Sequence, residues 1–279
     1  MEIVENKLTN LFFKIAIAVG LGGIFFYFIY EIANPILVSR YQAFVIIADL
    51  IGIFALIAII LWLFIPSLKA ILKNLAIILL VGYAFFFVFA NFFVYYYVSP
   101  PFLTYFEYLD GVGISFIGTL LIVLFSIGLI VIFSIDFGKR EEFAIFEKFI
   151  IIIWVLLVGI YDYAASYTLR PFLDVSFVRS GLELILILFA AILLIIKFFV
   201  GINEKIWNLL MLLLVNAFFI SLAILSTTAY GYSYAATPLN VTYILGNIFV
   251  IIGTVALVVC TFFVLQAKYP KSLAKRSKG

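Results

Sequence analysis

The sequence predicts an all-α polytopic membrane protein of about eight transmembrane helices, with its N- and C-termini in the cytoplasm. Three observations predict it: the apolar share of the chain, a succession of eight apolar runs, and the side on which the basic residues fall. The 279 residues are 67% hydrophobic and 11% charged, against roughly 45–50% and about 25% in a soluble domain. A soluble fold cannot hide that much apolar surface, so lipid is the expected solvent.

The apolar runs cover residues 11–30, 43–65, 75–98, 112–135, 146–166, 181–199, 207–228 and 241–266. Each is long enough to cross a hydrocarbon core of ~30 Å as a helix. A helix is required because every backbone N–H and C=O in lipid must be satisfied within its own segment. The first run follows Glu2, Glu5 and Lys7 and is longer than a secretory h-region, so it is expected to remain as the first span. Short connections make consecutive helices antiparallel neighbours. The whole of 1–279 is therefore expected to be one transmembrane domain, ending in a basic cytoplasmic tail at 267–279.

Fourteen of the 17 basic residues fall in or within a few residues of the N-terminal segment, the second, fourth and sixth connections, or the tail. The other side holds only Arg40, Arg170 and Arg179. The positive-inside rule makes the Lys-rich side cytoplasmic, and termini on one side require an even number of spans. That side carries seven acidic residues against its fourteen basic ones. Such a surplus can meet acidic headgroups or DNA, although the topology already accounts for it.

The outer connections look alike. Each carries a proline: Asn34-Pro35-Ile36-Leu37, Pro100-Pro101-Phe102-Leu103, Arg170-Pro171-Phe172-Leu173 and Thr237-Pro238-Leu239-Asn240. The prolines Pro35, Pro101, Pro171 and Pro238 stand 66, 70 and 67 residues apart. The helices before them end in aromatics, including Tyr95-Tyr96-Tyr97, Tyr161-Asp162-Tyr163 and Tyr230-Gly231-Tyr232. The pattern reads as four tandem helical hairpins, 11–65, 75–135, 146–199 and 207–266, in a common orientation. The plainer reading is that every outer loop needs a proline and an aromatic end.

Few residues could carry chemistry. Ionisable groups inside spans are costly and are functional candidates by default. Asp49 lies deepest, in the second helix, where it could serve an ion- or proton-linked site or bond to a neighbouring helix. Asp162 and Glu183 lie near outer helix ends. Asn91, Asn216 and Asn247 are intramembrane amides suited to bonding across helices. Fifteen of 17 tyrosines lie at or near the outer face. As an interfacial belt they need no further role. As a surface, Tyr95, Tyr96, Tyr97, Tyr161, Tyr163, Tyr230 and Tyr232 beside Arg40, Arg170 and Arg179 could stack bases and hold phosphates.

The exclusions are firmer. The chain has no His, so the usual axial ligand of b-type haem and the commonest zinc ligand are missing. The single cysteine, Cys260, cannot form an internal disulfide. A rhomboid-type Ser/His pair is impossible. Tyr161-Asp162 resembles half of an aspartyl intramembrane protease, but Gly111-Val112-Gly113 is followed by Ile114 where the partner Asp would stand. No catalytic set, metal site or cofactor is expected. Connections of 7–14 residues cannot house an ATPase, so energy must come from an ion gradient or a partner.

Two non-enzymatic classes follow. One is a transport or channel subunit, which should bury polar side chains along its interior. The other is an anchor or assembly subunit of a larger respiratory or secretion complex, with a quinone or lipid contact surface. It should show its partner a helix face of small residues.

In size, multispanning hydrophobicity, lack of a soluble domain and archaeal-looking Ile-, Phe- and Lys-rich composition, the chain is similar to the polytopic membrane component of the crenarchaeal DNA-import system. The resemblance is global and assigns no residue a role. It implies a passage for DNA in the cell membrane, working with small membrane partners and a separate cytoplasmic ATPase.

Overall fold

The computed structural model describes residues 7–33, 42–98, 105–135, 143–168, 174–233 and 241–268. Side chains are described for a subset of these, 10–30, 32–33, 43–89, 118–135, 143–161, 184–204, 206–223 and 241–265. Among the described residues there is no strand. Eight α-helices follow one another: α1 (Lys7–Ala33), α2 (Gln42–Phe64), α3 (Lys69–Val98), α4 (Tyr105–Ser134), α5 (Ile145–Thr168), α6 (Asp174–Ile195), α7 (Glu204–Ser233) and α8 (Val241–Lys268).

The helices match the apolar runs in order but outlast them. α3 begins at Lys69 rather than 75, α4 at Tyr105 rather than 112, and α7 reaches Ser233 rather than 228. Hydropathy marks only the lipid-crossing part of a helix. The i→i−4 ladder runs on through polar turns until a breaker stops it. One such breaker is Pro66. It forces Ile65 out of the helical region, to φ −107° and ψ 92°, as expected for a residue before proline. α2 therefore ends at Phe64, with Ile65 N–H donating to Leu61 O at 2.8 Å. Pro66 then opens a single 3₁₀ turn, Pro66–Leu68, that leads directly into α3. So short a link leaves α2 and α3 no arrangement except a tight hairpin, and the two pack together.

The other end of the register shows a different stop. α6 widens into a π-helical segment, Ile196–Val200, closed by Gly201 N–H donating to Ile196 O at 3.0 Å. Gly201 has φ 77°, a conformation that costs glycine little and a residue with a Cβ considerably more. α7 starts three residues later at Glu204.

Five helical stretches are long and apolar enough to cross a membrane: Asn10–Tyr30, Ala43–Phe64, Pro66–Phe89, Ile206–Ala223 and Val241–Leu265. Gly118–Ser134 and Leu184–Val200 are shorter apolar helical stretches. These helices are compatible with an integral membrane protein.

The chain divides into two compact units, residues 1–26 with 203–279, and residues 27–202. In the first, α7 pairs with α8, and α1 lies against α8 through glycine. A Cβ on Gly253 would stand 2.5 Å from Gly20 N, and one on Gly23 would stand 2.7 Å from Gly246 O. The inward face of α8 is small or polar at Gly246, Asn247, Gly253, Thr254 and Thr261, with Val250, Leu257 and Val264 between. Its outward face is large and apolar: Ile248, Ile252, Val255, Val259, Phe262 and Phe263 are exposed. A soluble helix does the reverse. In lipid, apolar bulk gains nothing by burial, and close approach of small residues gains dispersion.

In the second unit α2 pairs with α3, α3 with α4, α4 with α5 and α5 with α6, each helix next to its chain neighbour. Val81, Leu129, Ile132, Phe133 and Ile150 form one core. Val88, Ile122 and Tyr161 form another, with Leu157 and Val158 against it. The end of α1 joins this unit through Phe28, whose ring lies over Gly52 and meets Tyr83 edge-on at 5.4 Å.

Candidate functional site

Eight polar side chains are buried among these apolar helices: Asp49, Asn74, Thr119, Ser126, Asn216, Asn247, Thr254 and Thr261. Burying a polar group costs free energy unless it finds a hydrogen bond. Where each finds one shows whether it serves packing or chemistry.

In the first unit they serve the α7–α8 contact. Asn216 Nδ2 donates to Thr261 Oγ1 and to Leu212 O, both at 2.8 Å. The Thr261 hydroxyl donates in turn to Leu257 O at 2.8 Å, so one oxygen both accepts and donates. The Thr254 hydroxyl lies 2.7 Å from Val250 O in its own helix and 3.1 Å from Phe219 O across the interface. That proton is shared between two carbonyls. These bonds link α7 to α8.

Asn216→Leu should therefore cost little. Thr261 keeps its bond to Leu257, so the loss is about 0.6–2 kcal/mol, the range for a hydrogen bond between membrane helices. Thermal unfolding in detergent, compared with Thr261→Val and with the double variant, checks this. Both single variants break the same bond, so the double should fall short of their sum.

In the second unit Trp154 Nε1 donates to Ser126 Oγ at 2.8 Å and ties α5 to α4. Asp49 is 1% exposed. It stands six residues into the span that starts at Ala43, about 9 Å along the axis at 1.5 Å per residue. Ala48, Gly52 and Ala55 beside it on α2 are also buried. This carboxyl, set in a small-residue face, is the buried carboxylate among the described side chains and the candidate site for ionisable chemistry.

Of the residues singled out by sequence, the side chains of Asp49, Asn216 and Asn247 are buried. Tyr161 is not placed as an exposed outer aromatic. It is 8% exposed and packs with Val88 and Ile122. Its ring edge lies beside Gly118, where a Cβ would meet Cδ2 at 3.4 Å. The buried ring is therefore not part of an exposed stacking surface. Asn91, Tyr95, Tyr96 and Tyr97 are on α3, Asp162 and Tyr163 on α5, Arg179 and Glu183 on α6, and Tyr230 and Tyr232 on α7. Their side chains lie outside the described residues, as do Arg40 and Arg170 entirely.

Sequence reasoning missed Asn74, Thr119, Ser126, Thr254 and Thr261. Hydroxyls can bond to their own helix and so pass as neutral residues in a span. A signal was present: Asn247, Thr254 and Thr261 are seven residues apart, as are Gly246 and Gly253, and Thr119 and Ser126. A seven-residue step returns to nearly the same helix face, so each set lines one seam.

No protein-family model, curated protein or solved structure matches this chain.

Proposed function

We propose that this chain is a non-enzymatic subunit of a transport or channel assembly in the cell membrane, with eight spans and both termini cytoplasmic. The observation that carries the reading is the distribution of side chains. Polar groups are buried inside both units, and large apolar side chains such as Phe54, Leu124, Ile185, Val255 and Phe262 are exposed. Gly20, Gly23 and Gly253, whose small size an anchor could offer to a partner, are instead used in contacts within the chain. This inward polar, outward apolar pattern suits a self-contained intramembrane body.

Within that class, the similarity to the DNA-import component makes DNA the substrate to test first, with a separate ATPase and other membrane subunits as partners. Deleting the gene should abolish marker exchange between cells and leave growth and respiration intact. Unchanged exchange would remove DNA as the cargo, and impaired respiration would favour the anchor reading.

The topology has its own test. Cys260→Ala provides a cysteine-free background. Single cysteines at Ser67 and Lys139 should then react with an impermeant maleimide only in inverted vesicles, and those at Ser99 and Arg170 only from outside. Labelling of all four from one side would overturn the eight-span arrangement.

A further inference from the structure

We propose that Lys148, held against the π-helical end of α6, binds the phosphate of an anionic phospholipid in the cytoplasmic leaflet. The inference rests on the membrane reading of the chain and goes beyond it. Lys148 is the fourth residue of α5 and is half-buried. Its Nζ lies 3.5 Å from Phe198 O and 5.9 Å from the centroid of the Phe198 ring. Phe198 O is among the last carbonyls before the chain leaves the helix at Gly201, and such carbonyls have no partner within their own helix. Lys148 therefore acts as a distant cap for α6.

That cap does not use up the ammonium. It has three donors, and the carbonyl bond is at the outer limit of hydrogen-bond length. The negative end of the helix dipole offsets about half a charge. Among the described residues no carboxylate forms an ion pair with Lys148. Its neighbour Glu147 accepts a 2.7 Å bond from Ala144 N–H at the start of α5. A net positive charge is thus held at an apolar surface with donors to spare.

The surroundings fit a lipid better than a free ion. Phe143 meets Phe198 edge-on at 6.1 Å and Phe133 at 5.5 Å, and Phe149 lies 5.2 Å from Phe199. Ile145, Phe146 and Val200 are exposed beside them, at 67%, 73% and 75%. A phosphate would sit on the ammonium, and the acyl chains would run along this apolar wall. Anionic lipids enrich the cytoplasmic leaflet, and basic sites between helices on that side are where their headgroups bind. The π-helical widening moves Phe198 off the regular helical register, a distortion that recurs at functional sites.

The test uses the full-length protein, delipidated in detergent and titrated with phosphatidylglycerol or phosphatidylcholine, with bound lipid read by native mass spectrometry. Wild type should prefer phosphatidylglycerol. Lys148→Met keeps the stem but loses the charge, and should weaken that binding at least fivefold; Lys148→Arg should restore it. Lys69→Met, a control at the start of α3, should bind as wild type does. Equal binding by Lys148→Met and Lys69→Met would overturn the proposal. Displacement by millimolar inorganic phosphate would also overturn it, because the site would then take a free anion. Flotation of wild type with phosphatidylcholine vesicles is scored separately. Failure to float sinks the membrane reading itself, whereas flotation without phosphatidylglycerol preference sinks only the lipid site.

Discussion

Gly253→Leu should separate α1 from α8 and lower the unfolding temperature in detergent by on the order of 5–10 °C. A Cβ there would stand 2.5 Å from Gly20 N, 2.6 Å from Gly20 Cα and 3.0 Å from Ala16 O. All three are backbone atoms, so no rotamer change relieves the clash and the helices must move apart. Overpacking a fitted interface costs typically ~1–3 kcal/mol, and backbone-against-backbone contact belongs at the top of that range. Separation would also stretch the reciprocal contact, in which Gly23 faces Val250 N and Gly246 O. Gly128→Leu is the control. Nothing lies within 4 Å of a Cβ at Gly128, so its unfolding temperature should stay within about 2 °C of wild type. Equal losses in the two variants would show that any leucine for glycine in these helices is harmful, and that the α1–α8 contact has no special part.

Asp49 should divide fold from function. Asp49→Asn keeps shape and hydrogen-bonding capacity but cannot release a proton. If this carboxyl couples movement of cargo to an ion gradient, the variant should unfold as wild type does and lose at least tenfold in marker exchange when it replaces the native gene. Asp49→Lys should behave differently. It forces a longer cationic side chain into a site 1% exposed on α2, and an uncompensated buried charge costs about 3–5 kcal/mol. That variant should fail to accumulate in membranes, as read by immunoblot. Full exchange activity in Asp49→Asn would make the carboxyl a packing group, like Asn216 on α7.

Much of the fold was legible in the sequence because lipid leaves the backbone little choice. The order of the eight helices could be read from hydropathy alone; the turn at Pro66 was not singled out, because hydropathy does not register that a residue before proline leaves the helical region. Helix ends were less legible. α4 begins seven residues before the apolar run it carries, since Glu107 and Asp110 interrupt the apolar pattern while the backbone is still helical. The candidate site was half legible. Asp49 was marked by charge within a span. Thr254, Thr261 and Ser126 were not, because a hydroxyl taken singly gives no sign of its face and only the seven-residue spacing ties each to a seam.

Where helices form, and which residues are out of place in lipid, can be read along the chain. Both follow from local chemistry: the bilayer cannot satisfy a peptide group, and an ionisable group there is conspicuous. Only the tertiary structure decided which faces meet. Apolar side chains are equally content against lipid or against another helix, so hydropathy cannot separate buried Val250 from exposed Val255 on α8. That choice depends on glycine contacts and hydrogen bonds between residues far apart in sequence. Gly20 with Gly253, Asn216 with Thr261 and Lys148 with Phe198 are pairings that only the folded chain brings together.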